Sequence, residues 1–489
     1  MTHNNHKTMN TIFKHALGVA FTFAAMLAFS ACMGGGHAMQ SGGEVTGVRA
    51  ASFTEPAPYG MVEVKRGYLK AGLQDNDSLW GVYAPQKDIS VDGFWMDQTE
   101  VTNSMYRQFV EWVRDSIIRE RLAESGDETF KITEDRYGEP VTPHLNWSKP
   151  IPWRKPTEDE EQAIKSVYVK HPIDGSVMLD TKQLIYRYEV FDYEKAALRK
   201  YRLNPAERNL NTDLETSDDP VMISKDTAYV DENGEIIRQT IERPLSSLYD
   251  FLNTYIVRVY PDTTCWVNDF RNSDNETYLR SYFSNPSFND YPVVGVSWEQ
   301  ANAFANWRTD YLRRSLGKQG VYIEPFRLPT EAEWEIAARA GINENKYPWA
   351  GEMPMTDDGC FYANLKPGEG NYVRDGNLIT SKCGTYEPND NGLYDMAGNV
   401  SEWTSTAFTE SLDKLTSDIN PEYRYNAAGE DPYRMKRKVI RGGSWKDIAH
   451  NVRADLRAWE YQNEQHSFIG FRCVRTQIGF TKGKVKVKK

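Results

Sequence analysis

Two short, glycine-containing stretches near the C-terminus constrain the fold of this 489-residue chain more than any other feature. Residues 391–403 have the sequence NGLYDMAGNVSEW, and residues 439–445 have the sequence VIRGGSW. Glycine, asparagine, aspartate and serine are turn residues, each through its own backbone freedom or side-chain hydrogen bond. Both stretches therefore predict turns. The rest of the chain supplies 13 Trp, 28 Tyr and 20 Phe, which is ample material for one large, aromatic-rich core.

Capping residues mark two helix starts. Thr102 and Asn103 stand directly before apolar residues at helical spacing, and either can cap the helix by accepting an orphan amide hydrogen bond. In the sequence FRLPTEAEWE at residues 326–335, Thr330 and Glu333 have the spacing of a capping box. This predicts a structural role for Glu333. The apolar residues of the first helix are Tyr106, Phe109, Val110 and Val113.

The full set of motifs resembles the signature of the formylglycine-generating enzyme, or sulfatase-modifying factor, family. The matching segments are residues 97–103, 291–298, 326–335, 391–403, 439–445 and 470–474. The resemblance covers about 59–110 and 291–479, inside a domain that we expect at 59–479. It implies an α+β fold that is irregular, loop-rich and related to C-type lectins.

Residues from about 111 to 290 are more polar and charged than the segments on either side. Such a mixture can fold against a neighbour but makes a poor independent core. We expect a large family-specific insertion on the domain surface, partly loop-like. Aromatic residues often concentrate binding energy at interfaces, although each can instead pack on the parent domain. The candidate interface residues are Tyr186, Tyr188, Tyr201, Tyr249 and Trp266.

The resemblance also implies structural calcium, which gathers six to eight oxygen ligands and can stiffen a loop-rich domain. Two sets of residues align with the family's calcium ligands through side chains or backbone carbonyls. An alternative is that Asp395 and Glu402 only cap turns. The first set is Asp395, Gly398, Val400 and Glu402, and the second set is Asn364, Leu365, Asp375 and Asn377.

The family's oxidase chemistry depends on a copper-binding cysteine pair a few residues beyond the Gly-Gly-Ser motif. Counting from Ser444, these positions hold Asp447 and Val452. A carboxylate is a poor ligand for copper(I), and valine cannot ligate a metal. His450 and His466 flank this region but do not have the spacing of a ligand pair. The sequence therefore predicts a pseudoenzyme without catalytic residues.

The chain also contains Cys265, Cys360, Cys383 and Cys473, an even number for a compartment that permits disulfides. Cys360 and Cys383 flank one loop-like segment and form the best candidate pair. Other pairings and free thiols stay open, because connectivity cannot be deduced from sequence.

Residues 1–31 resemble a bacterial lipoprotein signal peptide, because Lys7 and Lys14 precede an uncharged apolar run that ends in small residues before Cys32. An ordinary cleavage site with an incidental cysteine is the alternative. Lipidation of Cys32 would anchor the protein firmly, since each buried methylene contributes about 0.8 kcal/mol. Residues 32–58 are expected to form a flexible, glycine-rich tether. The basic end at 480–489 is expected to be solvated, with a partner or lipid contact as the alternative.

Residues 75–80, 94–103, 106–117 and 260–270 extend the similarity to the GldK/PorK lipoproteins of gliding motility and the type IX secretion system. GldJ lipoproteins share the domain and are the nearest alternative. The resemblance implies a non-catalytic protein-transport subunit that self-associates in a large periplasmic ring with a GldN/PorN-type partner. No acidic residue directly follows Cys32, which favours the periplasmic face of the outer membrane. The net charge of −11 argues against a nucleic-acid partner. The alternatives are a metal-dependent oxidoreductase and a lectin-like ligand-binding module.

Overall fold

The computed structural model describes residues 57–478, apart from 73–85, 136, 173–174, 205–207, 209–219, 270–274, 317–322, 343–344 and 369. The stretch Pro56–Ile478 forms one unit by its internal contacts. The predicted leader, Cys32, most of the tether and the basic end lie outside the described residues, as do residues 75–80 of the resemblance.

Helices and strands both contribute, and the strands are short. The helices are α1 Asn103–Glu124, α2 Glu158–Lys165, α3 Tyr193–Ala197, α4 Glu276–Ser281, α5 Trp298–Leu316, α6 Glu331–Arg339 and α7 Leu412–Leu415. The strands are β1 Met61–Val64, β2 Gly67–Ala71, β3 Lys87–Val91, β4 Phe94–Asp97, β5 Lys131–Glu134, β6 Pro140–Leu145, β7 Tyr168–Lys170, β8 Val177–Leu179, β9 Ile185–Phe191, β10 Met222–Val230, β11 Ile236–Pro244, β12 Leu252–Arg258, β13 Phe326–Arg327, β14 Ser401–Ala407, β15 Arg437–Arg441, β16 Ala458–Tyr461, β17 Ile469–Gly470 and β18 Val474–Thr476. Short 3-10 turns include Leu248–Phe251, Thr263–Asn268, Tyr433–Lys436 and Ala449–Val452.

Both predicted helix starts are confirmed. The Thr102 side chain accepts a hydrogen bond from the backbone N–H of Met105, at 3.3 Å, and caps α1. At the start of α6, the Thr330 side chain accepts from the Glu333 N–H, and the Glu333 carboxylate accepts from the Thr330 N–H. These caps satisfy amide groups that have no partner inside their own helix.

Two four-stranded sheets position the sequence motifs relative to one another. One has the order β1-β4-β18-β13 and joins the start of the domain to its end, so that the Asp97 N–H donates to the Cys473 carbonyl at 2.9 Å. The other has the order β16-β15-β14-β17, in which β14 and β17 are parallel. The motifs at 391–403, 439–445 and 470–474 meet around this second sheet.

The central core is aromatic, as the composition predicted. Tyr106 of α1 stacks on Phe304 of α5 with ring centroids 5.5 Å apart, and Phe471 meets Phe304 edge-on at 5.5 Å. The Tyr106 hydroxyl donates to the Val259 carbonyl at 2.9 Å. This hydrogen bond satisfies a polar group that the core would otherwise leave without a partner.

The segment at 111–290 is more regular than its composition predicted. Helix α1 runs on to Glu124, and the segment forms the antiparallel pairs β5–β6, β7–β8, β9–β12 and β10–β11. Leu184 and Val259 are fully buried in the central core. This segment therefore helps to build the core of the domain.

Most of the aromatic residues proposed as interface anchors have internal positions, which corrects that expectation. Tyr186 and Trp266 are buried, and Tyr188 and Tyr201 are partly buried against apolar clusters. Tyr249 is 76% exposed. Aromatic side chains bury a large apolar area, and β9 brings Tyr186 and Tyr188 to the central core.

The described part of the chain is a mixed helix-and-strand protein. Its relation to C-type lectins stays a prediction. None of the helices in the described residues has the length and apolar character that crossing a membrane would require.

Candidate functional site

The Gly-Gly-Ser motif forms a tight turn at the end of β15. Gly442 and Gly443 both have positive φ, at 88° and 63°. A Cβ on Gly443 would lie 2.8 Å from the Asn451 carbonyl oxygen and 2.8 Å from a Val452 methyl group. Glycine is required because the 3-10 turn Ala449–Val452 packs directly against this backbone.

The two positions at which the family's cysteine pair was expected have structural partners. The Asp447 carboxylate accepts hydrogen bonds from the Ser444 N–H at 3.0 Å and the Ser444 hydroxyl at 2.7 Å. Val452 is 0% exposed and packs in an apolar cluster that includes Tyr347 and Ala397. One residue closes the turn and the other fills the core beneath it.

Side chains of the 111–290 segment contact the residues that directly follow Ser444. Asp269 forms an ion pair with Lys446 and accepts a hydrogen bond from the Ser467 hydroxyl. Trp266 stacks on Trp445 with ring centroids 6.2 Å apart and planes inclined by 21°. The chain's own residues therefore occupy space beside Asp447.

Buried charges gather below the turn. The Glu402 carboxylate accepts from Arg472 through Nη2 at 2.6 Å and Nε at 2.8 and 2.9 Å, and from the Trp334 indole N–H at 2.8 Å. Although burial opposes its charge, Glu402 holds the pKa of Arg472 above its usual range. A buried ion pair of this kind is tolerated because both groups are fully hydrogen-bonded.

Two further carboxyl groups lie beside this pair. Burial, with the nearby Asp395 carboxylate, raises the pKa of Glu100 well above its ordinary value. Burial also raises the pKa of Asp395, although its Oδ2 accepts from the Gly384 N–H at 2.6 Å. The Cys383 thiol hydrogen-bonds to Glu100, and burial raises its pKa well above the ordinary value. The cluster thus favours protons on Glu100 and Cys383.

In the first predicted calcium set, the Glu402 position does not fit a metal ion. Glu402 already has Arg472 and Trp334 as partners for both of its oxygen atoms. Arg472 supplies the positive charge that calcium would bring. The structure therefore gives Glu402 a different partner from the one that the resemblance implies.

The second predicted set is centred on one carboxylate, and calcium binding there stays a prediction. The Asp375 carboxylate accepts from the N–H groups of Leu365 and Asn377, at 3.1 and 3.2 Å. Burial raises its pKa, and only backbone amides oppose this shift. Carboxylate oxygens are among the ligands that calcium takes. Asn364, Leu365 and Asn377 complete the set that the resemblance implies.

Asn399 links Glu100 to Asn364 of the second predicted calcium set. The sequence motifs did not identify it as a site residue. It is fully buried, and its amide donates to Glu100 at 2.9 Å while its Oδ1 accepts from the Ser381 N–H at 2.8 Å. Its backbone N–H donates to the Asn364 carbonyl at 2.8 Å. The signal that could have revealed it is the GN pair in residues 391–403, since φ at Asn399 is 56°, a left-handed conformation that asparagine tolerates.

The four cysteines of the described residues are free thiols, so the predicted Cys360–Cys383 disulfide is wrong. Cys360 is exposed, whereas Cys383 points to the Glu100 carboxyl group. Within the described residues, no three His, Cys, Asp or Glu side chains are arranged to hold a metal ion.

Comparison with known proteins identifies the family of this chain. The family model of the sulfatase-modifying factor enzyme 1-like domain matches residues 49–183 and 190–477. The formylglycine-generating enzyme of Streptomyces coelicolor is 33% identical over 190 residues, 38% of this chain and 52% of that protein. The inactive C-alpha-formylglycine-generating enzyme 2 of Bos taurus is 33% identical over 190 residues, 38% of this chain and 50% of that protein. The match thus spans about half the length of these relatives.

Solved structures are similar to this chain along most of their own length. PvdO from Pseudomonas aeruginosa has a TM-score of 0.40 and 15% identity, covering 85% of this chain and 94% of that chain. A likeness at this level adds nothing to the assignment. The sequence relatives include proteins named as formylglycine-generating enzymes and proteins named as inactive, so similarity alone does not decide whether this chain is catalytic.

Proposed function

Since this chain belongs to the family of the sulfatase-modifying factor enzyme 1-like domain, we propose that it keeps the domain as a scaffold and has lost the oxidase chemistry. In this proposal the protein is a lipid-anchored structural subunit of the periplasmic ring of the type IX secretion and gliding machinery. It would face the periplasm from the outer membrane, self-associate and bind a GldN/PorN-type partner.

One observation carries the loss of catalysis. The two positions aligned with the cysteine pair hold a carboxylate that closes the Ser444 turn and a valine that is 0% exposed. Neither Asp447 nor Val452 can transfer electrons between copper and a thiol. Burial raises the pKa of the Cys265, Cys383 and Cys473 thiols and so disfavours their reactive thiolate forms.

The cover over the motif supports the same conclusion. A catalytic cleft needs space in which a substrate peptide can approach the reacting atoms. Here the Asp269–Lys446 ion pair and the stacked Trp266 and Trp445 rings lie beside Asp447. These contacts fill part of the surface beside the Ser444 turn.

Calcium would have a structural role in this proposal. Asp375, with carbonyl groups of Asn364, Leu365 and Asn377, would hold the ion between two loops. It would replace hydrogen bonds that an irregular loop segment cannot make for itself.

A ring subunit also needs surfaces for its neighbours, and one exposed aromatic patch lies within the 111–290 segment. Tyr193 of α3 and Tyr249 of the turn Leu248–Phe251 are both exposed, and so is Leu248. Phe191 and Phe251 pack beneath them, with ring centroids 5.8 Å apart. Specific interfaces bury about 800 Å² per partner and draw on aromatic residues of this kind.

Purification of the protein from detergent-solubilised outer membranes tests the scaffold role. We expect a large complex that contains many copies of this chain and a second periplasmic protein. The isolated chain should not convert the cysteine of a sulfatase-type peptide to formylglycine in the presence of copper and oxygen. Turnover above a no-protein control would show that the scaffold proposal is wrong.

The anchor is tested by Cys32→Ala. This change removes the lipid, so the protein should move from the membrane fraction to the soluble periplasmic fraction, and the melting temperature checks that the fold is retained. A variant that remains with the membrane after complex disruption by high salt would contradict lipidation at Cys32.

The exposed patch is tested by Tyr193→Ser combined with Tyr249→Ser. We expect loss of the large complex in size-exclusion chromatography, with the fold retained by circular dichroism. Tyr59→Ser is the matched control, because Tyr59 is 97% exposed and lies outside the 111–290 segment. Intact complexes of the double variant would place the interface elsewhere.

A further inference from the structure

A cavity of about 270 Å³ lies where β14 meets the long connection to β15. The pairing of β14 with β15 shifts register between Trp403 and Ala407, which opens the sheet at this end. Phe408, Tyr423 and Tyr425 contribute aromatic walls. An apolar cavity of about 150 Å³ already holds benzene, so this one has room for a side chain and part of its backbone.

Arg437 is the charged group in the cavity wall whose side chain is held by ring contacts and a hydrogen bond. Its guanidinium lies 4.9 Å from the Phe408 ring and 4.9 Å from the Trp459 ring. Its Nε donates to the Arg434 carbonyl at 3.0 Å. Among the described residues, its two terminal amino groups have no acceptor. A guanidinium held in place in this way keeps the fork that matches a carboxylate in two parallel hydrogen bonds.

The balance of charge in the cavity is positive. Arg434 also lines it and is exposed, without an acceptor for its guanidinium among the described residues. Glu410, an exposed residue, is the one carboxylate among the described lining residues. The chain as a whole has a net charge of −11, so a local excess of arginine is a feature of this site and not of the general surface.

Exposed aromatic rings continue from the cavity across the sheet. Trp459 is 37% exposed and Tyr433 is 50% exposed. Tyr461 lies between them, with its ring centroid 3.9 Å from that of Tyr433 and 5.2 Å from that of Trp459. Tryptophan, tyrosine and arginine are the residues that contribute most binding energy at protein interfaces.

We propose that this cavity binds a carboxylate side chain of an acidic peptide segment from another protein, with an adjacent apolar residue of that segment on the Trp459–Tyr433 surface. Arg437 and Arg434 would hold the carboxylate, and the aromatic walls would exclude water from it. The site does not depend on the proposed ring role, because it shares no lining residue with the exposed patch at Tyr193, Leu248 and Tyr249.

Isothermal titration of the full chain in detergent tests this proposal with three probes. They are the blocked tetrapeptide Glu-Phe-Asp-Glu, its neutral counterpart Gln-Phe-Asn-Gln and inorganic phosphate. We expect the acidic peptide to bind at least about tenfold more tightly than the neutral one, since charge-assisted bidentate hydrogen bonds are the strong ones. Equal binding of the two peptides, no binding of either, or phosphate binding as tight as that of the acidic peptide would overturn the proposal.

Variants locate the binding site. Arg437→Gln and Arg434→Gln should each weaken the acidic peptide by about fivefold or more, and Glu410→Gln should strengthen it by removing a repelling charge. Arg424→Gln is the matched control, because Arg424 is an exposed arginine of the same connection outside the cavity. If Arg437→Gln does not fold, the Arg434→Gln variant alone tests the binding site. Unchanged binding in Arg434→Gln, or an equal loss in Arg424→Gln, would contradict the assignment.

Discussion

Arg472 and Glu402 form a two-pronged ion pair in the interior, with Nη2 to Oε1 at 2.6 Å and Nε to Oε2 at 2.8 Å. The pair joins the motif at 470–474 to the motif at 391–403. Arg472 Nη1 donates to the Asp97 carbonyl at 3.2 Å, and Nη2 also donates to the Tyr394 carbonyl at 2.9 Å. One side chain thus ties together the first sheet, the glycine-rich loop and β14.

Arg472→Met should lower the free energy of unfolding by roughly 3–5 kcal/mol, because it leaves Glu402 as a buried charge without its partner. Chemical denaturation measures the change. Arg424→Met is the control, since the exposed pair of Arg424 with Glu422 should contribute at most about 1 kcal/mol. Equal losses of unfolding free energy in the two variants would mean that the buried ion pair contributes no more stability than the exposed one. Arg472→Met combined with Glu402→Leu should recover part of the loss.

Gly398 should not tolerate a side chain. Its φ is +72°, and a Cβ there would lie 2.1 Å from the Asn364 carbonyl oxygen. Gly398→Ala should therefore cost about 3 kcal/mol or more, since backbone strain and steric overlap each cost about 1–3 kcal/mol. The measurement is the shift in denaturation midpoint.

Gly359→Ala separates the two contributions to that cost. Gly359 has a φ of +83°, but no atom lies within 4 Å of the position that an alanine methyl group would take there, so only the backbone strain applies. We expect a loss of about 1–2 kcal/mol for this control. A Gly398→Ala variant that loses no more than this would show that the loop at Asn364 can move away.

Local hydrogen bonds of the site were predictable from the sequence. The caps at Thr102 and Thr330 depend on residues three positions away, and the residue types alone indicate the bond. The positions of Asp447 and Val452 beside the Gly-Gly-Ser turn followed from spacing in the same way.

The partners of distant residues were not predictable. Asp269 and Lys446 are 177 residues apart, and Glu402 and Arg472 are 70 residues apart. Nothing in the local sequence distinguishes a carboxylate that will bind calcium from one that will meet an arginine. The Cys360–Cys383 prediction failed for the same reason, because Cys383 has a buried carboxyl group, Glu100, as its neighbour.

Lys438 should make stability depend on pH. Burial lowers its pKa to about 7, and the ammonium lies 3.8 Å from the Trp298 ring centroid. Between pH 7 and the unfolded value of about 10.4, the unfolded chain binds the proton that the folded chain has released. Stability from this group therefore rises with pH in that window, by up to about 1.4 kcal/mol per pH unit.

Lys438→Met isolates this contribution. Denaturation of both proteins at pH 7, 8 and 9 should show the wild type gaining stability relative to the variant as pH rises. The variant also leaves the Tyr425 carbonyl without the Lys438 donor, but that loss is the same at each pH. A constant difference between the two proteins across this range would mean that Lys438 keeps its ordinary pKa.

Calcium at Asp375 is the remaining prediction. A ligand that binds only the folded state stabilises it by about 2.7 kcal/mol at a concentration 100 times its Kd. Millimolar calcium should therefore raise the melting temperature of the wild type, and a chelator should reverse the change. Asp375→Asn should abolish the response, because it removes the charged ligand of the set, whereas Asp358→Asn, at an exposed carboxylate of the preceding loop, should keep it. Since burial raises the pKa of Asp375, protons should compete with the ion and the response should shrink as pH falls. A melting temperature that is the same in calcium and in chelator would show that the loop is stable through Asp375 and its two amide hydrogen bonds alone.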